Sequence, residues 1–124
     1  MRKYIIGRYS SVTYAWKGIK TLVRTQHNMR IHLVATVIVV IAGFAFHLHT
    51  GRWIALVFAI ALVWITEAVN TAIEFLTDIV SPEINPLAGH VKDIAAAAVL
   101  LSALAAIIIG CLVFVPEIVC LFRG

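Results

Sequence analysis

Three long stretches of the chain hold almost nothing but apolar residues, and polar residues mark where each begins and ends. The first runs from about Ile31 to Leu48. The second starts near Arg52, stays apolar to Ala72 and continues as a more polar tail to Asp78. The third runs from about Ile94 to Leu121. Each core is close to the ~20 residues that a helix needs to cross a bilayer. The pattern therefore predicts three transmembrane helices over 31–48, 52–78 and 94–121. The stretch HTGR is expected as the turn between the first two. SPEINPLAGHV, with Pro82, Pro86 and Gly89 as breakers, is expected as the second connection. Ahead of the spans, residues 5–27 interleave Ile5, Ile6, Tyr9, Trp16, Ile19 and Leu22 with lysines and arginines. That suits an amphipathic helix lying in the membrane interface, bent or interrupted at Gly7 and Gly18. The expected fold is an all-α membrane protein, one domain over 1–124, with no internal repeat.

Composition supports the bilayer as solvent. Apolar residues make up 62% of the 124, and the mean hydropathy is +1.01, far above an ordinary soluble domain. The charge distribution then orients the chain. Arg2, Lys3, Arg8, Lys17, Lys20, Arg24 and Arg30 precede the first span with no acid among them. This places the N-terminus in the cytoplasm. Three spans put the termini on opposite sides, so the loop 79–92 is cytoplasmic and HTGR faces outward. A basic arm beside a membrane span points to anionic lipid head groups rather than nucleic acid. No cleavable signal peptide is expected, because MRKYIIGRYSSVTYAWKG lacks a continuous apolar core. Cys111 and Cys120 share a helix about 13 Å apart by rise, too far for a disulfide, and read as small packing residues. His47 and His49 do not share a helix face and have no carboxylate or cysteine beside them, so they read as interfacial loop residues rather than a zinc site.

Five of the six acids lie between Glu67 and Asp93. On a helix, Glu67, Asn70, Glu74 and Asp78 fall at about 0°, 300°, 340° and 20°, a stripe roughly 80° wide. Carboxylates and an amide are expensive in lipid, so such a stripe faces a bundle interior or cavity and marks function. Asp78 and Glu83 read equally well as snorkelling acids at the interface. Glu67, some three turns deeper, does not. Acids at a cytoplasmic membrane edge suit either proton coupling or a divalent cation. Lys92 and Asp93, expected to open the third span among free backbone N–H groups, favour the second choice, because a lysine there can hold a phosphate that Mg²⁺ bridges to carboxylates. No glycine-rich phosphate loop accompanies them.

The stretch EAVNTAIEFLTDIVSPEINPLAGHVKDIAAAAVL resembles the defining segment of the small prokaryotic integral-membrane lipid kinases, the diacylglycerol kinase and undecaprenol kinase family. The matching pattern is E-x-x-N-[ST]-A-[IV]-E-x-x-x-D, a proline-bearing loop, then K-D-x-x-[AS]-A-A-V-L. YAWKGIKTLVRTQHNMRIHL resembles the family's surface helix and its entry to the first span, and the likeness extends from about residue 8 to about residue 115. It implies a homotrimer of three-span protomers, with active sites at the membrane–cytoplasm boundary between neighbours. The implied reaction moves the γ-phosphoryl of ATP, with Mg²⁺, onto the primary hydroxyl of a membrane lipid. The resemblance further implies Glu67 as the base for the lipid hydroxyl and Glu74 as a metal carboxylate. Asn70, Asp78, Glu83, Lys92, Asp93 and Tyr14 are implied as nucleotide-side residues, and Trp16 as a lipid contact.

One departure stands out. The family commonly has E-x-N-x-x-I-H before the first span, and this chain has QHNMRIH. Gln26 thus takes the place of a second metal-binding glutamate. Its amide offers a carbonyl oxygen but no charge. Arg8 aligns with the family's N-terminal arginine only after a one-residue shift. The stretches NMRIHL and SPEINPLA lean towards the undecaprenol kinase branch. Two other readings remain: a degenerate, inactive relative, and a small proton-coupled transporter using Glu67. The first span offers the transporter only Thr36 as a polar group in its middle. The small residues Ala95 to Ala98, Ser102, Ala103, Ala105 and Ala106 suit close helix packing in the third span.

Overall fold

The computed structural model describes residues 2–123, with side chains from Ser11 to Arg123. Arg8 and the apolar Ile5, Ile6 and Tyr9 therefore lie outside the described side chains. Four helices follow one another: α1 (Arg2–Thr25), α2 (His27–Ala45), α3 (Thr50–Val80) and α4 (Pro86–Arg123). No strand occurs among the described residues. The last three helices are each long and apolar enough to cross a membrane. The chain is thus an all-helical, multi-pass membrane protein preceded by one more helix.

Helix α1 runs through Gly18 without the expected interruption, and a Cβ built there would meet nothing within 4 Å. The break falls at Gln26, whose extended backbone (φ −100°, ψ 118°) separates α1 from α2. Arg30 fixes that break. Its guanidinium donates to the carbonyls of Val23, at 3.0 Å, and Arg24, which the end of α1 leaves without helical partners. Leu22 and Met29 are buried on either side of it.

The turn between α2 and α3 is Phe46–His49, so Gly51 and Arg52 of HTGR belong to the first turn of α3. His47 takes the left-handed conformation (φ 49°) that reverses the chain. His49 is the N-cap of α3: its ring Nδ1 accepts from the Gly51 N–H at 3.2 Å. Helix α4 begins eight residues earlier than the apolar pattern indicates. The Asn85 side chain accepts from the Leu87 N–H at 2.9 Å, and Pro86 occupies the first helical position, where its missing N–H costs nothing. Pro86 and Gly89 therefore start a helix instead of breaking one. Lys92 and Asp93 lie about two turns inside it, so free helix-end N–H groups are not available beside them.

Helices α3 and α4 form the main pair. Small residues let them approach: Ala59, Ala95 and Ser102 are buried. Thr66 and Ser102 hydrogen-bond across the pair at 2.8 Å. Part of the small-residue surface of α4 is therefore spent inside the chain. At the end away from α1, Leu48, Leu56 and Val113 form a cluster with Trp53 and Phe114 against it, and Arg52 pairs with Glu117 beside it. Cys111 and Cys120 are free and exposed on α4. Helix α2 packs on Trp53 through Gly43, where an added Cβ would lie 2.7 Å from Trp53 Cη2. Gly43→Leu is expected to destabilise the fold by about 1–3 kcal/mol through overpacking, read as a lower unfolding temperature in detergent micelles.

Candidate active site

The acidic stripe meets α2 and α4 at the α1-proximal end of the bundle. Its periodicity puts Glu67, Asn70 and Glu74 on one line of α3, and all three line a cavity of about 320 Å³. Asn28 and His32 of α2 form one wall; Ala96, Leu100 and Ala103 of α4 form another. Glu67 is 1% exposed and Asn70 8% exposed, so both are removed from solvent. Asn70 Nδ2 donates to Glu74 Oε1 at 2.9 Å, which fixes the Glu74 carboxylate. Glu67 Oε2 and Asn70 Oδ1 are buried with no hydrogen-bond partner. Buried acceptors are normally satisfied, so these two oxygens are prepared for a hydroxyl, an ammonium or a cation.

The backbone around Glu67 is held firmly. Thr71 Oγ1 donates to the Glu67 carbonyl at 2.9 Å. Across the cavity, Thr36 Oγ1 donates to the His32 carbonyl at 2.7 Å and accepts from Trp64 Nε1 at 3.1 Å. This bond ties the α2 turn that carries His32 to α3.

The remaining sequence-derived residues do not line this cavity. Asp78 and Lys92 pair with each other near the ends of α3 and α4 that flank the connection between them. With side chains 63% and 39% exposed, they make a solvated ion pair worth little to stability. Glu83 and Asp93 are exposed nearby in sequence. Tyr14 and Trp16 are exposed on α1, with Lys17 Nζ 5.6 Å from the Tyr14 ring centre. Gln26 is half-buried at the α1–α2 break and does not reach the cavity wall. Among the described residues, no three His, Cys, Asp or Glu side chains converge as a metal site. Asn28 and His32 are the cavity residues that sequence reasoning passed over. Their i, i+4 spacing in QHNMRIH, just before an apolar span, was the available signal.

A buried carboxylate, an amide and a second carboxylate lie on one helix line, and two of their oxygens are unpartnered, an arrangement able to hold a proton or an oxygen-seeking cation. Comparison with known proteins identifies the family. The family described as prokaryotic diacylglycerol kinase matches residues 13–114. The undecaprenol kinase of Bacillus subtilis is 36% identical over 110 residues, covering 89% of each chain. The diacylglycerol kinase of Synechocystis is 42% identical over 108 residues, covering 86% of this chain and 62% of that relative. The diacylglycerol kinase of Escherichia coli K12 is 30% identical over 99 residues, covering 80% of this chain and 81% of the relative.

Proposed function

The chain belongs to the prokaryotic diacylglycerol kinase family and is a lipid kinase, and from that premise we propose that it transfers the γ-phosphoryl of ATP to the primary hydroxyl of undecaprenol, with Mg²⁺. The observation that carries this reading is the buried, unpartnered Glu67 Oε2 at the membrane-side end of a cavity whose other end holds Glu74. Glu67 takes the lipid hydroxyl proton as the oxygen attacks the γ-phosphorus, the bond from that phosphorus to the bridging oxygen breaks, and ADP leaves. Phosphoryl transfer asks the protein mainly for positioning and charge neutralisation, and the fixed stripe supplies both.

The donor set fits Mg²⁺. Glu74 and the free Asn70 Oδ1 are hard oxygens, and Mg²⁺ typically takes one or two carboxylates and fills its shell with water and phosphate. When bound, it would neutralise charge on the transferred phosphoryl. Gln26 stands where the family pattern E-x-N-x-x-I-H implies a second carboxylate. Asp78, Glu83, Lys92, Asp93 and Tyr14 form the nucleotide side, and Trp16 meets the lipid. The single domain works as a homotrimer in the cytoplasmic membrane, with its N-terminus and active site facing the cytoplasm. The exposed aliphatic faces of α2 and α4 support burial against neighbours or lipid.

Undecaprenol is preferred to diacylglycerol because the match covers 89% of the undecaprenol kinase relative, against 62% and 81% of the two diacylglycerol kinases. The test is transfer from labelled ATP by purified protein in bilayers, offering each lipid separately across a Mg²⁺ titration. Phosphorylated undecaprenol is expected. No product from either lipid at any Mg²⁺ level would leave a degenerate relative instead.

A further inference from the structure

One hydrogen bond fixes which residues of α2 and α3 face each other. The Trp64 indole N–H donates to the Thr36 hydroxyl at 3.1 Å, and that hydroxyl donates to the His32 carbonyl at 2.7 Å. A tight turn joins the two helices, so they run antiparallel. One helical turn from this bond towards α1 leads from Thr36 to His32 and from Trp64 to Ala68. His32 is therefore level with Ala68, the residue after Glu67, and within about 1.5 Å of Glu67 in depth. Residues three or four apart share a helix face, so the faces that meet at Thr36 and Trp64 also turn His32 and Glu67 towards each other. Both line the catalytic cavity, and His32 is near enough to act electrostatically on Glu67. Among the described residues, the His32 ring makes no hydrogen bond, and Glu67 Oε2 is buried without one. A donor and an acceptor thus face each other, unbonded, in a cavity of about 320 Å³.

We propose that His32 is the second group that holds the reacting hydroxyl: a ring N–H donates to the hydroxyl oxygen while the hydroxyl proton points at Glu67. The inference rests on the lipid kinase reading and adds a specificity-determining residue to it. A hydroxyl is a donor and an acceptor at once. Glu67 alone can take its proton but leaves the oxygen free to swing. A donor on the facing helix engages one lone pair and leaves the other for the γ-phosphorus. An imidazole carries an N–H whether neutral or protonated, so His32 neither gains nor loses a proton in the step. The other amides of the cavity are placed for something else. Asn70 Nδ2 is directed at Glu74, and Asn28, one turn closer to α1, is level with Ala72, between Asn70 and Glu74. A site that hydrogen-bonds a hydroxyl rejects an analogue that lacks it, because its own polar groups are then left unpaired. Thr36 and Trp64 serve the same end indirectly, by setting the register that brings His32 to Glu67.

The experiment measures retention by the purified protein of labelled undecaprenol and of the same chain with hydrogen in place of the hydroxyl, alongside turnover in bilayers. His32→Phe keeps a flat ring and removes the donor. His32→Leu is the second donor-free variant should the first not fold, and His32→Gln restores a donor. Wild type is expected to retain the alcohol at least about tenfold more tightly than the hydrocarbon. His32→Phe is expected to weaken retention of the alcohol about tenfold, to leave the hydrocarbon unchanged, and to raise the KM for undecaprenol with the KM for ATP unaltered. His32→Gln should bring retention of the alcohol back to within about threefold of wild type. Unchanged retention of the alcohol in the donor-free variants overturns the proposal. Equal loss of alcohol and hydrocarbon overturns it too, by making His32 a packing residue. Absence of turnover in wild type refutes the kinase reading, while retention of alcohol against hydrocarbon still decides the role of His32.

Discussion

Replacing Glu67 by glutamine is expected to lower lipid phosphorylation by about 10²–10⁴-fold, the usual contribution of a positioned base, with little change in the KM for ATP. The side chain is 1% exposed and one of its oxygens has no partner. A carboxylate in that setting is costly to the fold, so function is the reason to keep it. Glutamine preserves shape and volume and removes only the capacity to take a proton. The unfolding temperature of Glu67→Gln should therefore match or exceed wild type, because a neutral amide is easier to bury than a charge. Both results together separate lost chemistry from lost folding. Turnover within threefold of wild type would remove Glu67 from the base role and transfer attention to Glu74.

Asn70→Ala should raise the Mg²⁺ required for half-maximal turnover by about 10–100-fold, the cost of removing a group that orients a metal carboxylate. Asn70 Nδ2 holds Glu74 Oε1 at 2.9 Å, and Asn70 Oδ1 points unpartnered into the same buried space. Alanine removes both at once. The stabilisation of the protein against heat by Mg²⁺ and ATP should weaken in parallel, which gives a reading that does not depend on turnover. If Asn70→Ala lowered kcat with an unaltered Mg²⁺ dependence, Asn70 would be serving the lipid or the nucleotide instead of the cation.

The two variants probe residues that sequence periodicity had already aligned. Four polar residues spaced three and four apart on an apolar helix must share a face whatever the rest of the chain does. Other features were not legible in the same way. The start of α4 was obscured because Asn85 and Pro86 look like a loop until the Asn85 side chain is seen capping the Leu87 N–H. Lys92 therefore stands inside a helix, paired with Asp78, and the free N–H groups expected beside it are elsewhere. Arg52 opens the second span as its position indicates, but its pairing with Glu117, more than sixty positions away, has no local signal.

The sequence by itself determined the solvent, the number of spans and the stripe on α3. Each follows from local hydropathy and the 3.6-residue period, and lipid leaves the backbone of an apolar stretch little choice but a helix. The tertiary structure decided what faces the stripe. His32 and Asn28 come to Glu67 only because Gly43 admits Trp53, Thr36 binds Trp64, and Ser102 lets α4 close on Thr66. Contacts between helices depend on side-chain sizes and hydrogen bonds between residues distant along the chain, and no local pattern records them.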